Sequence, residues 1–283
     1  MQVLTDLVQD EARIDYLADK SSIVSDLVNI LEGCGDGLSP TSNQNEPGVY
    51  EIVELLLKSM AKFVQFPKMA EKLIEDLGAS VVFVQILGKA NDAIKLLGAR
   101  IITELTNYPQ YSTHLRQAGV IFPLINMLRS PNEFLQSQAC WTLTEFCADD
   151  ENREVFVSAK ALPYLEDKIT SDNSGLKLRA MECLANFWKH PDAHEQLEKA
   201  GFREKLMQMF GAPGALLKNT AVRAMAKIAR YDPDFLQSEA EGIRILKALL
   251  DIVQTDQNTT VRDKISALRA IDRWTWQAMH LSN

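Results

Sequence analysis

A residue pair recurs along the chain at a fixed interval, and this repeat constrains the fold more than any other feature of the sequence. Each pair stands directly before an apolar stretch, and its second residue is Gly in four copies and Lys in one. The copies are Leu77-Gly78, Ala118-Gly119, Ala159-Lys160, Ala200-Gly201 and Glu241-Gly242, so that each step is 41 residues. A period of about 20–50 residues is typical of proteins built from stacked copies of one unit. We therefore predict a repeat architecture.

Each interval contains three helical patterns. Residues 121–128 form a short apolar-periodic stretch, and residues 130–132 form a polar turn after it. A longer helical pattern follows the turn, and a short amphipathic stretch such as residues 151–158 leads into the next pair. The apolar residues of the longer pattern are Leu135, Ala139, Leu143 and Phe146. Because one such unit cannot bury its apolar face alone, neighbouring units must stack, and the predicted fold class is all-α.

The N-terminal part departs from the 41-residue register. Its helical patterns cover residues 21–31 and 49–64, and the Gly-rich and Pro-containing segment between them predicts a flexible loop over about residues 33–48. We expect residues 1–48 to form capping helices with this loop. Residues 49–283 are expected to form the array, with about five to six repeats in total.

Charge and hydropathy exclude two classes of partner. The chain has 30 Lys and Arg against 38 Asp and Glu, and the net charge of −8 opposes general binding to nucleic acid. The longest apolar run, residues 79–87, is about half as long as a membrane-spanning helix, so we expect no membrane insertion. The chain has no Cys-x-x-Cys pair, which predicts reduced, packed thiols. We therefore expect a cytoplasmic protein, with the nucleus as a second compartment.

No residue pattern points to catalysis, to a cofactor or to a metal. His190 and His194 have a spacing that can bind a metal on one helix, but Pro191 follows directly and no Glu stands where a zinc protease needs one. The Gly-rich run at residues 33–37 lacks the Gly-Lys-Ser/Thr of a phosphate-binding loop. We predict that the protein is not an enzyme and that it has no cofactor and no metal site.

Residues 117–132 (QAGVIFPLINMLRSPN) resemble the signature of the armadillo (ARM) repeat. Residues 138–146 (QACWTLTEF) and 151–156 (ENREVF) are of the same type, and the resemblance covers roughly residues 50–275. It implies a right-handed α-solenoid of stacked three-helix repeats. It also implies that the long third helices line a concave groove, in which extended peptides bind.

The 41-residue register predicts which side chains line this groove. Among the nuclear-import adaptors of the family, a Trp and an Asn four residues later recur on each third helix. The corresponding pairs here are Arg100 and Glu104, Trp141 and Glu145, Glu182 and Asn186, and Arg223 and Lys227, and an offset of 42 adds Lys58 and Lys62. Only Trp141 and Asn186 match the import pattern, and they lie in different repeats. The sequence therefore does not predict recognition of import signals.

The predicted groove carries a basic segment. Arg223, Lys227 and Arg230 share one helix face because they are spaced by four and three residues. Three interpretations remain open for these cations. They form a solvated helix face, they pair within the molecule, or they accept an acidic or phosphorylated part of an extended peptide through charge-assisted hydrogen bonds.

The middle of the predicted groove differs from the basic segment. Glu104, Glu145 and Glu182 precede Asn186, and this mixed stretch suits a peptide with a basic or polar core. Trp141 stands among these side chains. It is either a core residue or a groove-exposed anchor of the kind that dominates binding energy at interfaces.

We predict a non-catalytic protein–protein interaction scaffold or adaptor that binds a partner segment in the groove. The predicted groove residues are Lys62, Arg100, Glu104, Trp141, Glu145, Glu182, Asn186, Arg223, Lys227 and Arg230. A chaperone cofactor and a structural subunit of a larger cytoskeletal or ciliary assembly are the alternatives. Trp274 and Trp276 on the last helical pattern motivate the structural subunit, because exposed aromatic residues mark interfaces.

Overall fold

The structure is a computed structural model. It describes residues 17–18, 22–35, 48–212, 215–229, 232, 235 and 239–254, and its ordered elements in these ranges are helices. Most of residues 1–47 lie outside these ranges, so the division into caps and array stays a prediction. Trp274 and Trp276 also lie outside the described residues.

Helices follow one another through the described ranges with short connections. In chain order they are α1 (Ile23–Gly35), α2 (Val49–Phe63), α3 (Pro67–Glu71), α4 (Ala79–Lys89), α5 (Asp92–Leu105), α6 (Ser112–Gln117), α7 (Ile121–Leu128), α8 (Glu133–Phe146), α9 (Asp150–Ser158), α10 (Leu162–Lys168), α11 (Ser174–Leu184), α12 (Pro191–Lys199), α13 (Phe202–Gly211), α14 (Ala215–Ala229) and α15 (Glu239–Gln254). A π-helical turn, Lys72–Asp76, continues α3, and a 3-10 turn, Pro109–Tyr111, precedes α6.

The three-helix repeat predicted from the sequence is present. A short first helix, a second helix and a long third helix follow each other four times, and the third helices of these repeats are α5, α8, α11 and α14. The pattern at residues 49–64 is the long helix α2, as predicted. Helix α1 ends at Gly35 and not at Leu31, so residues 33–35 are helical where a loop was expected. Burial of Val28 and Leu31 anchors the helix and allows one further turn.

Four of the five 41-residue pairs mark the turn between the first and second helices of a repeat, whereas the fifth, Glu241-Gly242, lies within α15. The second residue of the pair has a left-handed backbone in four copies, with φ of 60° at Gly78, 84° at Gly119, 53° at Lys160 and 64° at Gly201. Glycine adopts this conformation without the steric cost that a Cβ atom brings. Lys160 therefore occupies a strained position, at a cost of roughly 1–2 kcal/mol.

Asparagine residues begin three of the third helices, again 41 residues apart. The side-chain oxygens of Asn91, Asn132 and Asn173 accept hydrogen bonds from backbone N–H groups in the first turns of α5, α8 and α11. The donors are Ile94 at 3.0 Å, Phe134 at 2.9 Å and Leu176 at 3.1 Å. These caps explain why the polar turns recur, because an Asn at this position satisfies a donor that the helix leaves unpaired.

The chain forms two compact units, which we call unit 1 (residues 1–152) and unit 2 (residues 153–283). In unit 1 the third helices α2, α5 and α8 pack in sequence against one another. A buried polar layer lies between α5 and α8. The hydroxyls of Thr103 and Thr142 are 2.8 Å apart, and the Gln138 amide donates to Thr103 Oγ1 at 3.3 Å. These contacts satisfy the polar side chains of the layer.

Unit 2 has an aromatic cluster in its core. Trp188 is only 2% exposed, and its indole N–H donates to a carboxylate oxygen of Asp232 at 2.8 Å. The rings of His194 and Phe235 lie edge-on to the indole, with centroid distances of 4.5 and 5.1 Å. The cluster connects the end of α11 to α12 and to Phe235, which follows α14, while α11 and α14 pack side by side.

Candidate functional site

Third helices in unit 1 expose one side along their length. On α8 the buried residues include Leu135, Ala139 and Leu143, which lie on the side that packs into the core. Phe134 and Trp141 lie on the opposite side, where they are 78% and 36% exposed. Trp141 is therefore a surface residue, and the alternative that it belongs to the core is wrong. We call the exposed sides of α2, α5 and α8 the unit 1 face.

Charged residues on the unit 1 face occupy two neighbouring rows. The register places Arg100 beside Trp141 in one row, and Lys62, Glu104 and Glu145 in the next. Lys62 and Arg100 are exposed, while Glu104 and Glu145 are half-buried. The face thus changes from basic on α2 to acidic on α8. A partner that crosses it meets both signs of charge next to a large aromatic surface.

The sequence analysis missed Phe134 as a surface aromatic. Its backbone N–H is held by the Asn132 cap, which fixes the first turn of α8. Residues seven apart lie on the same side of a helix, so the spacing between Phe134 and Trp141 is the signal that could have found it. The two aromatic residues extend the exposed surface over two turns.

A cavity of about 240 Å³ lies next to Glu145, at the C-terminal ends of α5 and α8. Its lining residues are Thr106, Tyr108, Pro109, Ser112, Leu115, Glu145, Phe146, Ala148 and Asp149. Small-molecule sites are larger, about 300–1,000 Å³, so the cavity suits one side chain of a partner better than a cofactor. Burial, and then the charge of Glu104, raises the pKa of the Tyr108 hydroxyl.

Asp149 adds negative charge to this cavity and also begins α9. One of its carboxylate oxygens accepts the backbone N–H groups of Glu151 at 2.9 Å and Asn152 at 3.1 Å. The guanidinium of Arg116 lies 3.8 Å from the same oxygen and also contacts Glu151. The carboxylates of Asp149 and Glu151 therefore share this cation.

The third helices of unit 2 bring one acid against two bases. The Glu182 carboxylate on α11 lies 3.6 Å from Arg223 Nε and 4.0 Å from Lys227 Nζ on α14. The three side chains are half-buried, with exposures of 22% for Glu182, 16% for Arg223 and 31% for Lys227. Of the three interpretations of the basic segment, pairing within the molecule is present. Asn186 is also half-buried, and Arg230 lies outside the described residues.

The two histidines with metal-like spacing take part in separate structural contacts. His190 Nε2 lies 3.0 Å from a Glu154 carboxylate oxygen, and His194 Nδ1 lies 3.1 Å from the Trp188 carbonyl oxygen. Within the described part of the chain, no three His, Cys, Asp or Glu side chains are grouped so that they could hold a metal ion. In the same ranges, no helix is long and apolar enough to cross a membrane.

Known proteins provide an independent view of this architecture. Residues 109–148 match the family model described as "Armadillo/beta-catenin-like repeat". An engineered protein of known structure is 22% identical, with a TM-score of 0.67 over 95% of this chain and 62% of that chain. A designed armadillo repeat protein, solved in complex with the peptide (KR)4, is 20% identical, with a TM-score of 0.61 over 85% of this chain and 99% of that chain. The chain has the armadillo-repeat fold.

The predicted resemblance and the predicted fold class, a right-handed α-solenoid of three-helix armadillo-type repeats, are both confirmed. This armadillo-repeat chain is also similar to two curated proteins of Dictyostelium discoideum, each named a probable inactive serine/threonine-protein kinase. Both are 22% identical, over 236 and 195 residues, or 78% and 66% of this chain. The matched segments cover only 19% and 10% of those two proteins, so the chain spans a fifth of their length or less.

Proposed function

We propose that this chain is a non-catalytic interaction scaffold that binds a segment of a protein partner along its third helices. The observation that carries the proposal is the exposure of Phe134 and Trp141 on one side of α8. Two large aromatic side chains exposed on one side of a helix favour a binding role, because a partner would remove their apolar surface from water. Tryptophan is also enriched among the residues that dominate interface energy.

Acidic groups on unit 1 favour a basic or polar segment of the partner. Glu145 and Asp149 border a cavity whose other walls include Leu115 and Phe146, so a Lys or Arg side chain could bury its stem and place its charge at the carboxylates. A designed protein of the same fold was solved with the peptide (KR)4, whose residues are basic. This likeness supports a basic segment without identifying the natural partner.

In unit 2 two neighbouring cations of α14 favour an acidic or phosphorylated part of the partner. Arg223 and Lys227 are about one helical turn apart, and their side chains are 16% and 31% exposed. Arginine and lysine bind phosphate and carboxylate groups through charge-assisted hydrogen bonds. We propose the cytoplasm as the compartment, with the nucleus as the alternative. The buried thiols of Cys140, Cys147 and Cys183 support a reducing environment.

Affinity capture from the native cell, followed by mass spectrometry, tests the scaffold. The double variant Phe134→Ala/Trp141→Ala is expected to lose the partner at least about tenfold, because truncation of such anchors costs 2 kcal/mol or more. Phe122→Ala is the matched control, since Phe122 is an aromatic residue of α7 that is 57% exposed but lies outside the third helices. Capture that is undiminished by the double variant contradicts the proposal. If the wild-type chain and the double variant capture equally abundant chaperone ATPase, the result would favour the chaperone-cofactor alternative.

Selection from a displayed random-peptide library tests the partner's chemistry in unit 1. The wild-type chain is expected to enrich Lys and Arg, and the double variant Glu145→Gln/Asp149→Asn is expected to lose this enrichment. Asparagine at position 149 preserves the acceptor that caps α9. Glu133→Gln removes an exposed carboxylate from the other end of α8 and serves as the control. Enrichment that persists in the double variant contradicts the assignment of a basic segment.

A further inference from the structure

The two exposed aromatic residues of α8 follow the axis of this helix. Phe134 and Trp141 are seven residues apart, so they lie on one side of α8, about 10 Å apart along its axis. We infer that the partner segment binds unit 1 as an amphipathic helix that lies along α8, with apolar residues seven positions apart and an acidic residue beside one of them. This inference rests on the proposed function, because it concerns the conformation and direction of the same segment.

The neighbouring third helix of unit 1 does not continue the aromatic surface. On α5 the register equivalent of Phe134 is Ala93, and that of Trp141 is Arg100. A segment that crossed from α5 to α8 would therefore contact one of the two aromatic residues. A segment that runs along α8 covers both, and the burial of two large aromatic side chains is more favourable than the burial of one.

The spacing along α8 favours a helical segment over an extended one. Ser137 is half-buried between the two aromatic residues, so that positions 134, 137 and 141 have the spacings of three and four that packed helices share. A helical partner presents its side chains at the same intervals. An extended chain presents a side chain to one side every two residues, about 6.8 Å. Neither one nor two such steps match an interval of about 10 Å.

Arg100 indicates the charge of the partner beside this contact. The residue is exposed, and α5 packs against α8, so the register places Arg100 next to Trp141. A helix over Trp141 brings the residue before or after its apolar contact toward the guanidinium, where Asp or Glu forms a charge-assisted hydrogen bond. The basic residue proposed for the cavity falls about one turn further along, since Glu145 lies four residues after Trp141.

The experiment uses the full chain and a displayed library of alanine-rich helical peptides about 18 residues long. Selected peptides are expected to carry two apolar residues seven positions apart, with Asp or Glu next to one of them. Proline midway between the two apolar residues is expected to weaken binding at least about tenfold, because it breaks the helix. Fluorescence polarisation measures the affinity. The indole N–H resonance of Trp141, assigned with Trp141→Phe, identifies the site by NMR.

Two variants test the direction of the segment and its charge. Phe134→Ala is expected to weaken the selected peptides about tenfold, because a segment along α8 uses both aromatic residues. Its control is Phe122→Ala on α7, which is expected to change nothing. Arg100→Gln is expected to remove the preference for Asp or Glu and to keep the seven-residue spacing. Lys89→Gln, at an exposed cation in the last turn of α4, is the control for this change.

Each outcome separates the inference from the proposed function. The inference is overturned if the library gives no binder, if bound peptides tolerate the central proline, or if Phe134→Ala binds them as tightly as the wild-type chain. The scaffold proposal then still stands wherever affinity capture depends on the aromatic pair. An acidic preference that persists in Arg100→Gln overturns the assigned charge. Circular dichroism verifies that the variants remain folded.

Discussion

Units 1 and 2 are built from the same three-helix repeat but use tryptophan in opposite ways. Trp141 in unit 1 lies on the exposed side of the third helix α8 and is 36% exposed. Trp188 in unit 2 lies six residues beyond the register equivalent of Trp141, and it is 2% exposed within an aromatic cluster. The comparison shows that position within the repeat, and not residue type, decides whether a large aromatic residue serves binding or stability.

Polar contacts between neighbouring third helices also differ between the units. In unit 1 the hydroxyls of Thr103 and Thr142 meet in the core, where they fix how α5 and α8 pack. In unit 2 Glu182 meets Arg223 near the surface, at a longer distance and partly open to water. A buried hydrogen-bonded layer fixes the packing of two helices, whereas a longer and partly exposed ion pair contributes little to stability.

The largest effect is expected from Trp188, in contrast to Trp141. Trp188→Ala removes a fully packed side chain and leaves Asp232 without its indole donor, so it is expected to lower the free energy of unfolding by about 3–5 kcal/mol. Trp141→Ala is expected to cost less than about 1 kcal/mol, because the side chain is partly exposed. Urea denaturation followed by circular dichroism measures both. Equal losses in the two variants would remove the distinction between the units.

A smaller effect is expected from the polar layer of unit 1. Thr142→Val keeps the shape but removes the hydroxyl, which leaves Thr103 and Gln138 with fewer partners in the core. We expect a loss of about 1–3 kcal/mol in the free energy of unfolding. The double variant Thr103→Val/Thr142→Val is expected to be less destabilised than the sum of the two single variants. Additive losses in urea denaturation would mean that the two hydroxyls act independently.

The asparagine caps, which both units share, provide the next comparison. Asn91→Ala is expected to cost about 1 kcal/mol, the usual contribution of an N-cap. Asn132→Ala in unit 1 is expected to cost more, because its amide also donates to Asp92 of the preceding repeat at 2.7 Å. Glycine at either position is expected to restore most of the cap contribution in thermal unfolding. A larger loss at Asn91 than at Asn132 would show that the contact to Asp92 adds nothing.

The smallest expected effect is the contribution of the Glu154–His190 pair in unit 2 to the pH dependence of stability. Hydrogen bonds from the His190 ring and the Ser158 hydroxyl lower the pKa of the Glu154 carboxyl below its ordinary value of 4.5. A carboxyl whose pKa is depressed in the folded state contributes stability above its unfolded pKa and loses it as pH falls through the folded pKa. The unfolding free energy of the wild-type chain is therefore expected to fall more than that of Glu154→Gln below about pH 4.5. Parallel curves for the two proteins in acid-dependent urea denaturation would contradict this.

Local patterns in the chain were sufficient to predict the repeat. A left-handed backbone favours Gly, and a helix start favours Asn, so these residues recur at the same place in several copies, as Gly119 and Asn132 do. The three helical patterns of each copy follow from apolar periodicity, which is also a local property. The period, the helix order and the register of the third helices could therefore be predicted from the sequence alone.

Contacts between copies could not be predicted in the same way. Periodicity identifies one apolar side of a helix, but neighbouring repeats determine how much of each remaining side chain is covered. Hence the exposure of Phe134 and Trp141, the burial of Trp188 and the approach of Glu182 to Arg223 were revealed only by the folded chain. These contacts join residues that are tens of positions apart in the chain. Packing and charge act between them through space, so the sequence next to each residue does not indicate the contact.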